Sequence, residues 1–390
     1  MTGLPLDDVD VLDFSQAAAA PYASNLLASN GADVVMVEPR GGGSQRHYVG
    51  GSFFPNVGQS KRSIVLDLKS DRAEEVIEAL VEETDVLIHN YRSNTVERMG
   101  LDYENLRQYN EELIYCSLTG YGEEGSYADR PAYDPHAQAM SGLMSNTGEA
   151  DRKPSRVGAS PMDWGSGVFL AYSVMVALWN RDRTGRGEHI EVSLFDTAAA
   201  YMGYWYTYCT KYGETPERMG HAYAPYAPYG VVETGGGQVY VAAPLQRQWE
   251  SLCEEFDRPD WVADPRFATP EDRREHREDV FEALEDEFES LHRSEVVERL
   301  LSAQVPAAEV QTIAEAASDQ HLRNRGTTMT VEDHDGDEVV ATGNPVRFSG
   351  DSTREEPFFA GIGEHTQEIL EAAGFTDAII KSLQQDDVVE

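Results

Sequence analysis

Through residue 120 the chain alternates short apolar runs with stretches of helical periodicity. Val9 to Phe14, Asp33 to Glu38, Ser63 to Leu68, Asp85 to His89 and Leu113 to Leu118 read as strands. The Val34-Val35-Met36-Val37 run is continuous rather than alternating, as expected of a strand buried on both faces. Pro21 to Ser29 reads as a helix stopped by Gly31. A second helix, from about Ser70, sets Val76, Ile77, Leu80 and Val81 on one face. This β-α-β rhythm predicts a parallel sheet with helices on both faces.

Further along, Pro135 to Leu143 and Gly165 to Trp179 read as helical. The Gly185-Arg186-Gly187 turn leads into a strand, His189 to Leu194. Thr197 to Tyr212 reads as one tyrosine-rich helix, and Pro225 to Pro228 as the exit from a first domain. Val231 to Thr234 and Gln238 to Ala242, joined by Gly235-Gly236-Gly237, carry a hairpin signature. Amphipathic helices near 246–256, 273–289 and 294–303 complete a smaller α+β domain. Short strands from about Gly326 and a helix from His365 to Ala373 close the chain.

Composition changes this picture mainly through charge. The 390 residues hold 69 Asp and Glu against 31 Lys and Arg, a formal charge of −38. Nucleic acid is excluded as a partner, because phosphate binding rests on Lys and Arg, and anionic membranes are disfavoured. Disorder is not implied, because 41% of residues are hydrophobic and the acids are spread along the chain. The five lysines are Lys61, Lys69, Lys153, Lys211 and Lys381. An acidic, lysine-poor surface over a patterned core is similar to that of cytoplasmic proteins adapted to high salt, which screens self-repulsion. Met1 to Asp8 lacks the features of a signal peptide, and no apolar run is long enough to span a membrane. A cytoplasmic location is expected. Cys116, Cys209 and Cys253 form no CxxC pair and read as buried apolar residues.

Several chemistries lack their motifs. There is no GxxxxGK[ST] loop. Ser15-Gln16-Ala17-Ala18 follows the first strand where a dinucleotide fold needs GxGxxG, and Gly41-Gly42-Gly43 lies after the second strand instead. The histidines make no HExxH, so no metal site is expected. No GxSxG elbow is present.

Nine segments in order resemble the class III CoA-transferases, the CaiB/BaiF family that includes formyl-CoA transferase. They are VLDFSQAAAAPYASNLLASNGADVVMVEPRGG from 11, SKRSIVLDLKS from 60, HNYRSNTVERMGLDYENL from 89, RPAYDPHAQAMSGLMSNTG from 130, RVGASPMDWGSG from 156, RTGRGEHIEVSLFD from 183, DPRFATPEDRREHRE, NPVRFSG and GEHTQEIL. The resemblance implies an α/β fold: a large Rossmann-like domain over 1–200 to which 330–390 returns, and a small α+β domain over 228–315. Residues 200–228 and 315–330 would be linkers, in an interlocked homodimer whose chains thread each other.

The resemblance also implies roles. Asp163 falls at the family's nucleophile, ahead of an expected helix start, with Gly165 and Gly167 leaving room for a thioester beside the backbone. On the residues alone Asp163 reads first as a helix N-cap, and the resemblance is what gives it the catalytic role. Asp134 is an acid that could support it. Ala18, Ala19, Leu66 to Lys69, Asn90, Tyr91, Arg92 and Arg98 fall on positions that contact CoA, and Arg40 lies within one position of a family arginine that would join them; CoA is a substrate here and no cofactor is expected. Related α-methylacyl-CoA racemases carry His where this chain has Tyr133, a poor base at its ordinary pKa, so racemisation is the lesser alternative. A family Gln is replaced by Ala18, and Gly235-Gly236-Gly237 reads as a hairpin turn rather than a lid, which tells against formate and oxalate. Among family members the resemblance extends to those passing CoA from succinyl-CoA to mesaconate. It implies a C4 or C5 dicarboxylate, with malate, itaconate and carnitine as other acceptors to test. A distal carboxylate needs a cation or donors, for which Arg46, His47, Tyr133 and His136 are candidates.

Overall fold

The computed structural model describes residues 3–333, 336–350, 353 and 357–390. It divides into two compact units: Met1–Ser141 with Val157–Gly203 and Gln320–Glu390, and Gly142–Arg156 with Tyr204–Asp319.

The first unit is built on six parallel strands: β1 Asp10–Asp13, β2 Asp33–Glu38, β3 Lys61–Val65, β4 Val86–His89, β5 Ile114–Thr119 and β6 Glu188–Ser193. Their order is β3-β2-β1-β4-β5-β6. Leu12 of β1 is level with Val35 of β2 and Leu87 of β4. The chain winds outward from β1 in one direction and from β4 in the other. The carboxyl ends of β1 and β4 therefore flank the switch point, where open α/β sheets leave a crevice for ligands. The C-terminal segment returns to this sheet. His365 N–H donates to Ser63 C=O (3.0 Å), and Ile369, Leu370, Ile380, Leu383 and Val389 share one core with Leu12, Val35 and Val76.

The helix Ala19–Ser29 follows β1 and packs against the 24-residue helix Pro161–Thr184. Gly165 and Gly167 face neighbouring elements rather than open space. A Cβ on Gly167 would stand 2.6 Å from Ala19 O, and one on Gly165 would stand 2.1 Å from the Tyr201 hydroxyl. The two glycines thus permit close helix approach, which corrects the expectation that they clear space for a thioester. Beside them Tyr22 meets Trp164 edge-on at 4.5 Å.

The second unit holds the antiparallel sheet β7 Tyr229–Thr234, β8 Gly237–Ala242 and β9 Ala307–Glu309. Trp249, Trp261, Phe267, Phe281 and Phe288 fill its core. Gly235 and Gly236 form the tip of the β7–β8 hairpin. Residues 204–228, expected to be a linker, belong to this unit. Arg277 donates to Ala224 C=O (2.6 Å) and His221 packs edge-on against Phe281 (4.9 Å), so the stretch is held by its own contacts. Residues 142–156 also belong here, although no periodicity marks them. Arg218 donates to the carbonyls of Glu149, Ala150 and Arg152 and so ties them down. The tyrosine-rich helix is two helices, Leu194–Tyr201 and Gly203–Tyr212.

Candidate active site

Asp163 lies in the first turn of the Pro161–Thr184 helix, three residues after its N-cap, Ser160. The N-cap reading of Asp163 is therefore replaced, and the helix begins before it. Pro161 suits the first helical position because it has no N–H to leave unpaired. The amides behind it are satisfied from outside. Asp134 opens the helix Asp134–Met140 and is buried. Its Oδ2 accepts from Met162 N–H (2.7 Å) and, longer, from Asp163 N–H (3.4 Å). Its Oδ1 accepts from Gln138, whose own Oε1 accepts from Val157 N–H (2.9 Å). Asp134 thus caps the turn that carries Asp163.

The Asp163 carboxyl is pushed up to about 7, chiefly by burial, then by the Asp134 charge, against the stabilising hydrogen bond from Ser160. The dipole of the long helix favours a carboxylate at this end. Burial and the like charge outweigh it.

Asp163 lines a cavity of about 330 Å³ at the switch point, shared with Gln16 to Ala19, Ser44, Tyr48, Asn90 to Ser93, Leu118 to Gly120, Arg130 to Tyr133 and others. The loop after β1 is clamped in place. Asn90 Oδ1 accepts from Gln16 N–H (3.0 Å) while its Nδ2 donates to Gln16 C=O (2.6 Å). Ala17, at φ +65°, donates its N–H to Ser44 Oγ (3.1 Å). Beneath the loop, buried Asp13 accepts from Ser15 N–H (3.0 Å) and pairs with fully buried Lys61 (3.0 Å). Lys61 also donates to Pro21 C=O and Ser24 Oγ, each at 2.8 Å. This network sets the start of the Ala19 helix, so Ala18 and Ala19 reach the cavity wall.

Among the described lining residues Asp163 is the one acid, and Arg92 and Arg130 are the cations. Neither arginine is in an ion pair among the described residues, in a chain with 69 acids. Of the residues singled out by sequence, Ala18, Ala19, Asn90, Tyr91, Arg92, Tyr133 and Asp163 come together here. Asn90 gives its amide to Gln16, so it shapes the loop.

The other candidates lie elsewhere. Arg46 is buried and unavailable: its Nε and Nη2 engage Glu38 (2.8 and 2.7 Å), Nη1 donates to Ala360 C=O (3.0 Å), and the group stacks on Phe54. His47 is exposed and bonds Gly41 C=O (2.9 Å). His136 Nδ1 accepts from Tyr133 N–H (3.2 Å) and lies outside the cavity wall. Arg40 pairs with Asp387 (2.7 Å). Leu66 is buried in the core and bridges Val389. Lys69 and Arg98 are exposed, the latter donating to Asn94 C=O (3.0 Å). Sequence reasoning missed Arg130, Ser44 and Tyr48. Arg130 stood within a quoted segment, and the scarcity of cations was the signal that could have marked it.

Comparison with known proteins agrees with this geometry. The profile described as CoA-transferase family III matches residues 6–366. Succinyl-CoA:mesaconate CoA-transferase of Haloarcula hispanica is 34% identical, over 95% of this chain and 96% of its own. Succinate–glutarate CoA-transferase of Agrobacterium fabrum is 32% identical, over 94% and 95%. A CAIB/BAIF family protein from Brucella suis superposes with a TM-score of 0.87 at 31% identity, over 95% of this chain and 100% of that one. A sheet with its crevice at the β1–β4 switch point, one acid in that crevice, and these matches over nearly the full length place the chain in CoA-transferase family III, and it is a CoA-transferase.

Proposed function

We propose that this enzyme moves CoA from succinyl-CoA to mesaconate or a similar C4 or C5 dicarboxylate, with Asp163 as covalent nucleophile. The observation that carries the reading is the cavity itself, whose described lining holds one carboxylate, Asp163, and two arginines that pair with no acid among the described residues. The names of the Haloarcula and Agrobacterium relatives support dicarboxylate substrates.

In this mechanism the ionised Asp163 attacks the thioester carbonyl. The C–S bond breaks, CoA thiolate leaves, and a mixed anhydride joins the acyl group to Asp163. The thiolate then attacks the aspartyl carbonyl of the anhydride. The donor acid departs as its carboxylate and Asp163 carries CoA as a thioester. The acceptor carboxylate reverses both steps. One thioester replaces another, so the exchange is near balance and needs neither ATP nor a resident cofactor. Asp134 holds the nucleophile's turn throughout, and both intermediates need shelter from water.

Incubation with succinyl-CoA is expected to leave CoA on the peptide containing Asp163, seen by mass spectrometry and removed by hydroxylamine. Full transfer activity in Asp163→Ala would overturn the assignment.

We further propose a cytoplasmic, interlocked homodimer. Val168, Phe169, Tyr172, Met175, Val176 and Trp179 form an exposed apolar stripe on the Pro161 helix, a kind of surface that marks an interface. Light scattering is expected to give twice the chain mass. A monomer across the working concentration range would refute it.

A further inference from the structure

Taking the dicarboxylate reading as its basis, we infer that Arg130 binds the distal carboxylate of the substrate acid and sets the preference for dicarboxylic over monocarboxylic acids. In such an acid one end must reach Asp163. The other end brings a second charge to the open side of the cavity, where Arg92 and Arg130 are exposed and a cation or several donors hold such a group. Among the described residues only Arg92 and Arg130 supply cations to that wall.

Their positions divide the work between them. Arg92 belongs to the turn after β4, beside Asn90 and the loop that leads into the Ala19 helix. That turn and the helix N-terminus flank the switch point, which is the place for the phosphates of a nucleotide-bearing ligand. Arg130 enters from the segment after β5 that runs through Pro131, Ala132 and Tyr133 to Asp134. Asp134 caps the turn of Asp163, so Arg130 is tied through four residues of chain to the group that positions the nucleophile.

The side chain is also prepared for planar recognition. The Arg130 guanidinium lies over the Tyr127 ring at 4.0 Å, which fixes its plane and leaves the edge donors free for a bidentate carboxylate. Its neighbour Asp129 does not pair with it, and neither does any other acid among the described residues.

The test compares the wild type with Arg130→Ala and Arg130→Lys, using matched acceptors of similar length: mesaconate or succinate against crotonate or butyrate. The readout is the ratio of kcat/KM for dicarboxylate to that for monocarboxylate. In Arg130→Ala this ratio is expected to fall about tenfold, the scale of charge-assisted hydrogen bonds lost at a solvent-exposed arginine, and Arg130→Lys should regain part of it. An unaltered ratio, including one in which both acids and the KM for every CoA ester worsen together, overturns the assignment and gives Arg130 to the CoA phosphates. The parent reading is judged separately, on the wild type: an enzyme that transfers CoA to no dicarboxylate overturns the substrate class and this assignment with it.

Discussion

Asp163→Asn is expected to lose CoA transfer by at least about a thousandfold, the scale of losing a covalent nucleophile, and yet to be more stable than the wild type above pH 7. Both effects come from one environment. Burial and Asp134 raise the Asp163 carboxyl to about 7, while in the unfolded chain it titrates near 4. Between those values the folded state holds a proton that the unfolded state has released. Stability therefore declines as pH rises from about 4 to about 7, and the full penalty persists above. About three units correspond to some 4 kcal/mol, and partial solvent access reduces this to about 1–4 kcal/mol. Asn carries no charge and escapes the penalty. Its thermal midpoint should exceed that of the wild type at pH 8, and the gap should close toward pH 4. Equal midpoints at both pH values would mean that the site does not strain its carboxylate.

The same shift predicts the pH profile of the wild type. Nucleophilic attack needs the carboxylate, so kcat/KM should fall tenfold per unit below about pH 7 and level off above it. Asp134→Asn keeps an acceptor for Met162 N–H and removes the like charge. Its profile should move to lower pH.

The sheet was readable because its central strands carry continuous apolar runs such as Val34 to Val37, a pattern set by burial on both faces. The site was readable only in part. No local property separates Asp163 from 68 other acids; its place came from the order of surrounding segments. Asp134 and Asn90 were found by the same route, but their tasks were not. Whether an amide meets a ligand or the backbone of Gln16, in sequence 74 positions away, depends on tertiary geometry. Arg46 shows the same gap. The pairing with Glu38 crosses the turn between β2 and the short Ser44–Arg46 helix, so no periodicity within one element marks it, and Arg46 looked free. The glycines after Asp163 suited an open approach as well as a tight helix crossing, and only the position of Ala19 O decides between them. Residues 142–156 gave no periodic signal because loop carbonyls bonded to Arg218, rather than an apolar face, hold them.

Lys61→Met should be the most destabilising single change in the first unit, while its effect on the cavity is indirect. Lys61 is fully buried and its ammonium meets Asp13, Pro21 C=O and Ser24 Oγ. Burial alone pushes its pKa down, and Asp13 opposes that. Methionine has a similar length and fills the space, so the main loss is not packing. What remains is the Asp13 carboxylate, buried and without its cation, at a cost of about 3–5 kcal/mol. For a unit or chain of this size that is a fall in thermal midpoint of roughly 4–8 °C. Asp13→Asn in the same background removes the stranded charge and should restore much of the loss, so the two changes should be strongly non-additive. Midpoints measured for the two single variants and the double variant, at one protein concentration, provide the check. Strict additivity would show that the pair is not coupled. Coupling, with activity lost and recovered in parallel, would tie the ion pair to the loop from Ser15 to Ala18, because Asp13 is the residue that holds both Lys61 and Ser15 N–H. The ion pair beneath the loop then sets the backbone that lines the cavity together with Asp163.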